Sequence, residues 1–141
     1  ILLHRSVAFN AIMFAPGGLS RAERELGATV ESRLNGCVYC TAVHAQRFAQ
    51  LARRNDVIAQ LFHDPATAGA DAREQAVVRF SAQLGLRPHT AAAPDVLALQ
   101  AAGLSPGETL DLVHAVALFA WANRLMLNLG QTVLPWAASA D

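Results

Sequence analysis

Helix-start signals in three separate segments constrain the fold of this chain more than any other feature of the sequence. Residues 20–23, 71–74 and 105–108 each begin with Ser or Asp and end with Glu, which is the spacing of a capping box. The third segment also has Pro106 at the first helical position. No segment alternates polar and apolar residues for long enough to form a strand. The sequence therefore predicts an all-α fold.

Glycine and proline residues, which break helices, divide the chain into six to seven helical segments. The predicted helices, with ends defined to within a few residues, are residues 2–14, 20–34, 36–54, 56–63, 71–85, 94–102 and 106–129. A length of 141 residues suits one domain, and no linker or low-complexity run divides it. We therefore expect a compact single domain over residues 1–141.

The last predicted helix, residues 106–129, is apolar nearly all round. Such a pattern is expected of a helix buried on several sides, and a small domain with this much apolar surface often completes its core by forming an oligomer. Asp111 and Arg124 within it would be costly at bilayer depth, so we expect a core helix and no membrane span. The apolar residues expected to pack inside the protein or against a second subunit form one stripe with three residues beside it: Leu110, Val113, Ala117, Trp121 and Leu125, with Val116, Phe119 and Ala120.

Charge and cysteine usage narrow the classes of partner and compartment. Eleven arginines balance eleven acidic residues and lysine is absent, so no basic surplus favours nucleic acid or anionic lipid. The chain starts at Ile1 and shows no charged start followed by an apolar run and a cleavage site, so we expect a cytoplasmic protein. In that compartment, two cysteines spaced as Cys-x-x-Cys favour redox chemistry or metal binding over a structural disulfide.

Cys37 and Cys40 are the only cysteines of the chain, and His44 follows them at helical spacing. Steps of three, four and seven residues put the three side chains on one face of a helix. If Asn35 caps a helix that begins near Gly36, both thiols lie in its first turn, where free N–H groups and the helix dipole favour thiolates. The spacing to His44 favours Cys40 as the nucleophile, whereas thioredoxin-like dithiols attack with the first cysteine, so both orders stay open.

Glu25 lies on the preceding predicted helix, at the border of its buried face. A buried carboxyl group has a raised pKa and can exchange protons with His44 at neutral pH. The alternative is that Glu25 pairs with Arg21 or Arg24 in solvent. His114, on the last predicted helix, is expected to be a core histidine bonded to a backbone carbonyl, with access to the dithiol as the alternative.

The sequence resembles the AhpD-like branch of the carboxymuconolactone decarboxylase family. The specific part of this likeness is a spaced set: Glu25, eleven residues, Cys37-x-x-Cys40, three residues, His44. The likeness extends over roughly residues 1–130, because the last predicted helix is also similar to the long C-terminal helix of that family.

The resemblance implies an all-helical subunit that assembles into trimers or hexamers and reduces small hydroperoxides with thiols. It assigns Cys40 as the peroxidatic cysteine, which becomes a sulfenic acid, and Cys37 as its resolving partner. It assigns Glu25 and His44 as the proton relay. An external dithiol then restores the site, and neither a cofactor nor a metal is implied. One position departs from the peroxidase branch, which has histidine between its cysteines where this chain has Tyr39.

Two other classes of function stay open at the level of sequence. In a lyase or isomerase of the decarboxylase type, Glu25, His44 or His114 would transfer protons and the cysteines would line the pocket. In a metal-binding module, the ligands would be Cys37, Cys40, His44 and Glu25. Zinc accepts such ligands, although the second ligand pair of most structural zinc sites is missing.

Overall fold

A computed structural model of the chain describes residues 2–64 and 67–129. Within these residues the chain forms seven α-helices, one 3₁₀ turn and no strand, which confirms the predicted all-α fold. The elements are α1 Leu2–Phe14, α2 Arg21–Leu34, α3 Val38–Ala52, α4 Asp56–His63, α5 Ala72–Leu86, the 3₁₀ turn Pro88–Thr90, α6 Ala93–Ala101 and α7 Pro106–Leu129. Each predicted helix is present with ends within two residues of the prediction. The predicted single domain over residues 1–141 includes residues outside the described ranges, so it stays a prediction.

The helix-start signals form the bonds that their spacing predicts. At α2, the Glu23 N–H donates to Ser20 Oγ at 3.2 Å, and the Ser20 N–H donates to the Glu23 carboxylate at 3.1 Å. At α7, the same two bonds join Ser105 and Glu108 at 3.2 and 2.7 Å. Arg73 on α5 bonds both glutamates, and it therefore ties the starts of α2 and α7 together.

Helix α2 lies at the centre of the fold although its sequence is polar. Its residues from Arg24 to Ser32 are all buried, and the helix packs against α1, α3, α5 and α7. The two helices α2 and α7 pack closely at Gly27, where an added Cβ would lie 2.9 Å from the Leu112 side chain. The larger apolar cluster of the core includes Leu26, Val30, Phe48, Val57, Leu61, Val77, Val78, Leu99, Leu112 and Val116.

Helix α7 is buried along one side only, so the prediction of a helix buried on several sides is wrong. Val116 and Phe119 are among its buried residues. Of the predicted stripe, Val113 packs against the core, while Leu110 is 55%, Trp121 42% and Leu125 40% exposed. A pattern that is apolar nearly all round does not indicate which side meets the core. By length and composition alone, α7 is also able to cross a membrane. Of the 18-residue apolar window within it that meets this test, 28% is buried inside the protein.

Candidate active site

A glycine turn between α2 and α3 positions the two cysteines. Gly36 has a φ of +74°, and its N–H bonds the Arg33 carbonyl at 3.1 Å. The Cys37 N–H bonds the Ser32 carbonyl at 3.0 Å. These two bonds form a Schellman motif, which needs a left-handed residue after the helix and therefore favours glycine. Asn35 is the C-cap of α2, so its predicted role as the N-cap of α3 is wrong.

Both cysteines are free thiols inside the protein. Cys37 is the N-cap of α3 and is fully buried, while Cys40 lies in the first turn and is 4% exposed. The two thiols lie next to each other, and Cys40 Sγ donates to Met126 Sδ of α7 at 3.2 Å. The structure thus brings the two thiols into contact and adds a thioether that no sequence pattern indicated.

Burial determines the protonation of Cys40. Together with the hydrogen bond and charge of Cys37, burial raises the pKa of the Cys40 thiol to about 12, against an opposing hydrogen bond from Asn123. The prediction that the helix start favours a thiolate is therefore wrong for Cys40, because lost hydration outweighs the favourable helix terminus. At neutral pH Cys40 is a thiol, and its ionisation needs a base.

Glu25 and His44 meet in the interior. His44 lies one turn after Cys40 on α3, and its Nδ1 bonds the Glu25 carboxylate of α2. Glu25 is fully buried and His44 is 4% exposed, so neither side chain faces bulk water. The imidazole packs edge-on against the Phe119 ring, with centroids 4.2 Å apart. Because the carboxylate engages Nδ1, Nε2 is the ring nitrogen that is left to exchange a proton with other groups.

Arginine side chains lie along the outer edge of the Glu25 carboxylate. Arg21 Nε donates to Glu25 Oε1 at 2.7 Å, and Arg47 Nη1 lies 4.0 Å from the same oxygen. Burial raises the pKa of Glu25, but the bonds and charges of His44 and Arg21 outweigh burial and hold that pKa below its ordinary value. The predicted raised pKa is therefore wrong. The predicted alternative is also wrong in part, because Glu25 pairs with Arg21 inside the protein while Arg24 bonds elsewhere.

The four predicted site residues form two contacting pairs. One pair is Cys37 with Cys40 and the other is Glu25 with His44, and no hydrogen bond of the described residues joins the imidazole to either sulfur. Over residues 2–64 and 67–129, no group of three or more His, Cys, Asp and Glu side chains is arranged to hold a metal ion. His114 is exposed on α7, so it is neither a core histidine nor part of this site.

One polar residue of the site was missed by the sequence reasoning. Asn123 on α7 is fully buried, and its side chain bonds Ser32 and Asn35 and lies beside Cys40. The available signal was an amide within the most apolar helix, since a buried polar side chain needs hydrogen-bond partners.

Three surface clefts formed by the described residues lie away from the thiols. The cleft of about 280 Å³ is lined by residues 13–21 and Arg24, so it borders the arginine that bonds Glu25. Two larger clefts, of about 530 and 740 Å³, are lined by other parts of the chain. Neither cysteine lines any of these three clefts.

Sequence comparison matches the first part of the chain to a known family. The sequence model described as the carboxymuconolactone decarboxylase family matches residues 2–83, a range that includes all four predicted site residues. None of the curated proteins compared matches the chain.

Two solved structures share the fold. The crystal structure of an uncharacterized peroxidase-related protein from Silicibacter sp. TM1040 has a TM-score of 0.85 and 23% identity, over 98% of this chain and 72% of that chain. The crystal structure of an alkylhydroperoxidase AhpD core, an uncharacterized peroxidase-related protein from Ralstonia eutropha JMP134, has a TM-score of 0.83 and 24% identity. That match covers 89% of this chain and 66% of the other, slightly less than two thirds of its length. At these identities the likeness shows the fold.

Proposed function

The chain belongs to the carboxymuconolactone decarboxylase family and has an AhpD-like fold, and from this premise we propose that it is a thiol-dependent hydroperoxide reductase. The observation that carries the proposal is the contact between two reduced, buried thiols one helical turn before a buried carboxylate–imidazole pair. Both structural neighbours are peroxidase-related proteins, which supports the same class of reaction.

Cys40 is the peroxidatic residue of the proposed reaction. Residues four apart on a helix are neighbours, so Nε2 of His44 takes the proton of the Cys40 thiol while Glu25 holds Nδ1–H. The thiolate attacks the terminal oxygen of the hydroperoxide, a sulfur–oxygen bond forms and the O–O bond breaks. The departing alkoxide takes the proton back from the imidazole, so the products are a sulfenic acid and an alcohol.

Cys37 and an external reductant complete the cycle. The Cys37 thiol condenses with the sulfenic acid of Cys40, water leaves, and a disulfide closes across the first turn of α3. An external dithiol reduces this disulfide by exchange and is itself oxidised to a disulfide, so both thiols are restored. The proposed cycle uses no cofactor. Because it starts from two free thiols, we also propose a reducing compartment, the cytoplasm.

We further propose that the chain associates with copies of itself as a trimer or hexamer. Apolar side chains of two helices face outward, among them Leu3 of α1 at 73% exposure and Trp121 and Leu125 of α7 at 42% and 40%. Asp111 and Arg124 of α7 would be costly inside a bilayer, which favours a protein partner over lipid for this face.

Consumption of peroxide by the reduced protein tests the reaction. In stopped flow with hydrogen peroxide or an organic hydroperoxide, we expect one equivalent of peroxide to convert both thiols to a disulfide, which mass mapping identifies as Cys37–Cys40. Cys40→Ser loses turnover, whereas Cys37→Ser stops at a sulfenic acid that dimedone traps. Continued consumption of peroxide by Cys40→Ser contradicts the proposal.

A lyase or isomerase is the second candidate, and the arrangement of the Glu25–His44 pair favours it. The pair forms without a hydrogen bond to either sulfur, so it can transfer protons to a substrate on its own. A variant with serine at both cysteine positions distinguishes the two candidates. If this variant still turns over a carboxylated lactone, the result supports the lyase. If neither the variant nor the wild type turns over that substrate, the lyase is ruled out.

A further inference from the structure

A chain of side-chain hydrogen bonds runs through the interior from Glu31 to Cys40. Asn35 Nδ2 donates to Glu31 Oε1 at 2.7 Å and to Asn123 Oδ1 at 3.2 Å. Asn123 Nδ2 donates to Ser32 Oγ at 3.2 Å, and the same amide lies beside the Cys40 sulfur, where it favours the thiolate. Asn123 lies one turn before Met126, whose Sδ contacts that sulfur at 3.2 Å. Glu31, Ser32 and Asn123 are fully buried, so bulk water does not compete for these bonds.

The direction of each bond follows from the first member of the chain. A carboxylate accepts hydrogen bonds only, so Asn35 turns its NH₂ group toward Glu31. The second N–H of that amide needs an acceptor, and Asn123 supplies its carbonyl oxygen. With the oxygen engaged, Asn123 turns its own NH₂ group inward, where one N–H meets Ser32 and the other meets Cys40. The chain of bonds therefore presents an N–H donor, and not a carbonyl, to the sulfur.

Glu31 is held in place at the far end of this chain. Its Oε2 has no hydrogen-bond partner and packs against the backbone of Gly85, where an added Cβ would lie 2.1 Å from it. Burial raises the pKa of Glu31 above its ordinary value and outweighs the bond from Asn35 and the charge of Arg124, which lower it. Because one oxygen packs against the glycine and the other bonds Asn35, the carboxyl group cannot rotate without losing its hydrogen bond.

We propose that Asn123, oriented by Asn35 and Glu31, donates the hydrogen bond that stabilises the Cys40 thiolate during attack and the sulfenate after it. Asn123 touches the reacting sulfur, whereas Asn35 and Glu31 are positioning residues that act through it. The inference rests on the proposed function, in which Cys40 is the attacking thiol. Physically, a buried thiolate has lost its hydration, and an N–H donor already oriented toward it replaces part of that hydration.

Alkylation of Cys40 by iodoacetamide tests this role without any peroxide. In a Cys37→Ser background one thiol remains, and it reacts only as the thiolate, so the second-order rate between pH 7 and pH 9.5 reports the thiolate population. Asn123→Leu keeps a similar side-chain size and removes the donor. We expect it to lower the rate about tenfold, which corresponds to a pKa higher by about one unit. Asn35→Ala, which frees the Asn123 amide to turn, is expected to lower the rate about threefold.

Asn128 provides the matched control, because it is exposed on the same helix and bonds only a backbone carbonyl of α7. Asn128→Leu should leave the alkylation rate unchanged. An unchanged rate in folded Asn123→Leu overturns the inference. A rate that rises at every pH also overturns it, because that is the effect of a loosened structure that exposes Cys40.

A second variant keeps the test decisive if Asn123→Leu does not fold by circular dichroism. Asn35 is partly exposed, so Asn35→Ala perturbs the interior less. Slower alkylation of this variant then supports the inference, and an unchanged rate overturns it. The readout needs no peroxide, so a protein that fails to reduce peroxide still shows the shift if Asn123 acts as proposed.

Discussion

At the level of single residues, the site holds a thiol and a carboxylate in opposite protonation states. Burial keeps Cys40 protonated, while bonds from His44 and Arg21 keep Glu25 ionised although it is fully buried. The proton that Cys40 must lose has a nearby acceptor in His44, whose tautomer is determined by the carboxylate. The proposed reaction therefore starts from a thiol and a base, and not from a preformed thiolate.

The raised pKa of Cys40 predicts a loss of stability in alkali. An unfolded cysteine ionises near pH 8.5, whereas the folded thiol stays protonated to about pH 12, so between these values only the unfolded state loses the proton. The stabilisation is fully present below pH 8.5, and the free energy of unfolding falls by about 1.4 kcal/mol per pH unit above it. Urea unfolding of the reduced protein should show this fall, and Cys40→Ala should lack it. Parallel pH profiles of the two proteins contradict the prediction.

Glu25→Gln tests the proton relay at constant side-chain size. Glutamine is neutral and cannot stabilise an imidazolium, so we expect peroxide-dependent disulfide formation at pH 7 to slow by about 10²-fold. Stopped-flow measurement of the two thiols gives the rate. Glu23→Gln is the matched control, because Glu23 belongs to the capping box of the same helix and should keep the wild-type rate. Equal rates in the two variants rule out the relay.

At the level of helices, the turn from α2 to α3 determines where the first thiol lies. The Cys37 N–H closes the Schellman motif of α2 on the Ser32 carbonyl, and the same residue is the N-cap of α3. Gly36 makes this possible because its backbone is left-handed. One glycine therefore positions the dithiol relative to the helix that carries Glu25 and the helix that carries His44.

Gly36→Ala measures what this turn contributes. An L-residue in left-handed backbone costs about 1–2 kcal/mol, while nothing lies within 4 Å of the added Cβ, so we expect urea unfolding to show a loss of about 1 kcal/mol. Gly107→Ala is the control, since this glycine is helical and its added Cβ has Ser105 Oγ at 3.9 Å as its nearest neighbour. That variant should gain up to about 1 kcal/mol. A stability change of the same sign in both variants contradicts the backbone argument.

At the level of the whole molecule, a polar helix lies at the centre and the long apolar helix lies at the surface. Polar side chains of α2 are buried because they bond one another and their neighbours, as Glu25 does with His44. Helix α7 presents Leu110, Trp121 and Leu125 outward. Exposed apolar residues that cluster on one face of a helix often meet a partner.

Trp121→Glu tests the proposed association of copies of the chain. We expect light scattering to give three or six times the 15.0 kDa subunit mass for the wild type and a monomer for this variant, because a carboxylate buried in an interface is poorly solvated. Gln50→Glu, exposed on α3, should keep the assembly. A monomeric wild type contradicts the proposal.

The sequence predicted those features that depend on neighbours along the chain. Capping pairs such as Ser20 and Glu23 lie three residues apart, so the helices followed from local spacing. The side of α7 that faces the core depends on packing, and its pattern was apolar nearly all round. Met126 reaches Cys40 across 86 positions, and Asn123 reaches it from the same helix, so neither contact has a local pattern. The pKa shifts depend on burial, which is equally a property of packing.

Arg73 has a geometric consequence for access to the sulfur. It clamps the start of α7 through Glu108, and Met126, which covers Cys40, lies eighteen residues further on, about 27 Å at 1.5 Å per residue. Near Met126 the helix is held again, because Asn123 bonds Ser32 and Asn35 of α2. The thioether that lies against Cys40, a residue only 4% exposed, therefore belongs to a helix that is tied to α5 at its start and to α2 beside the thiol.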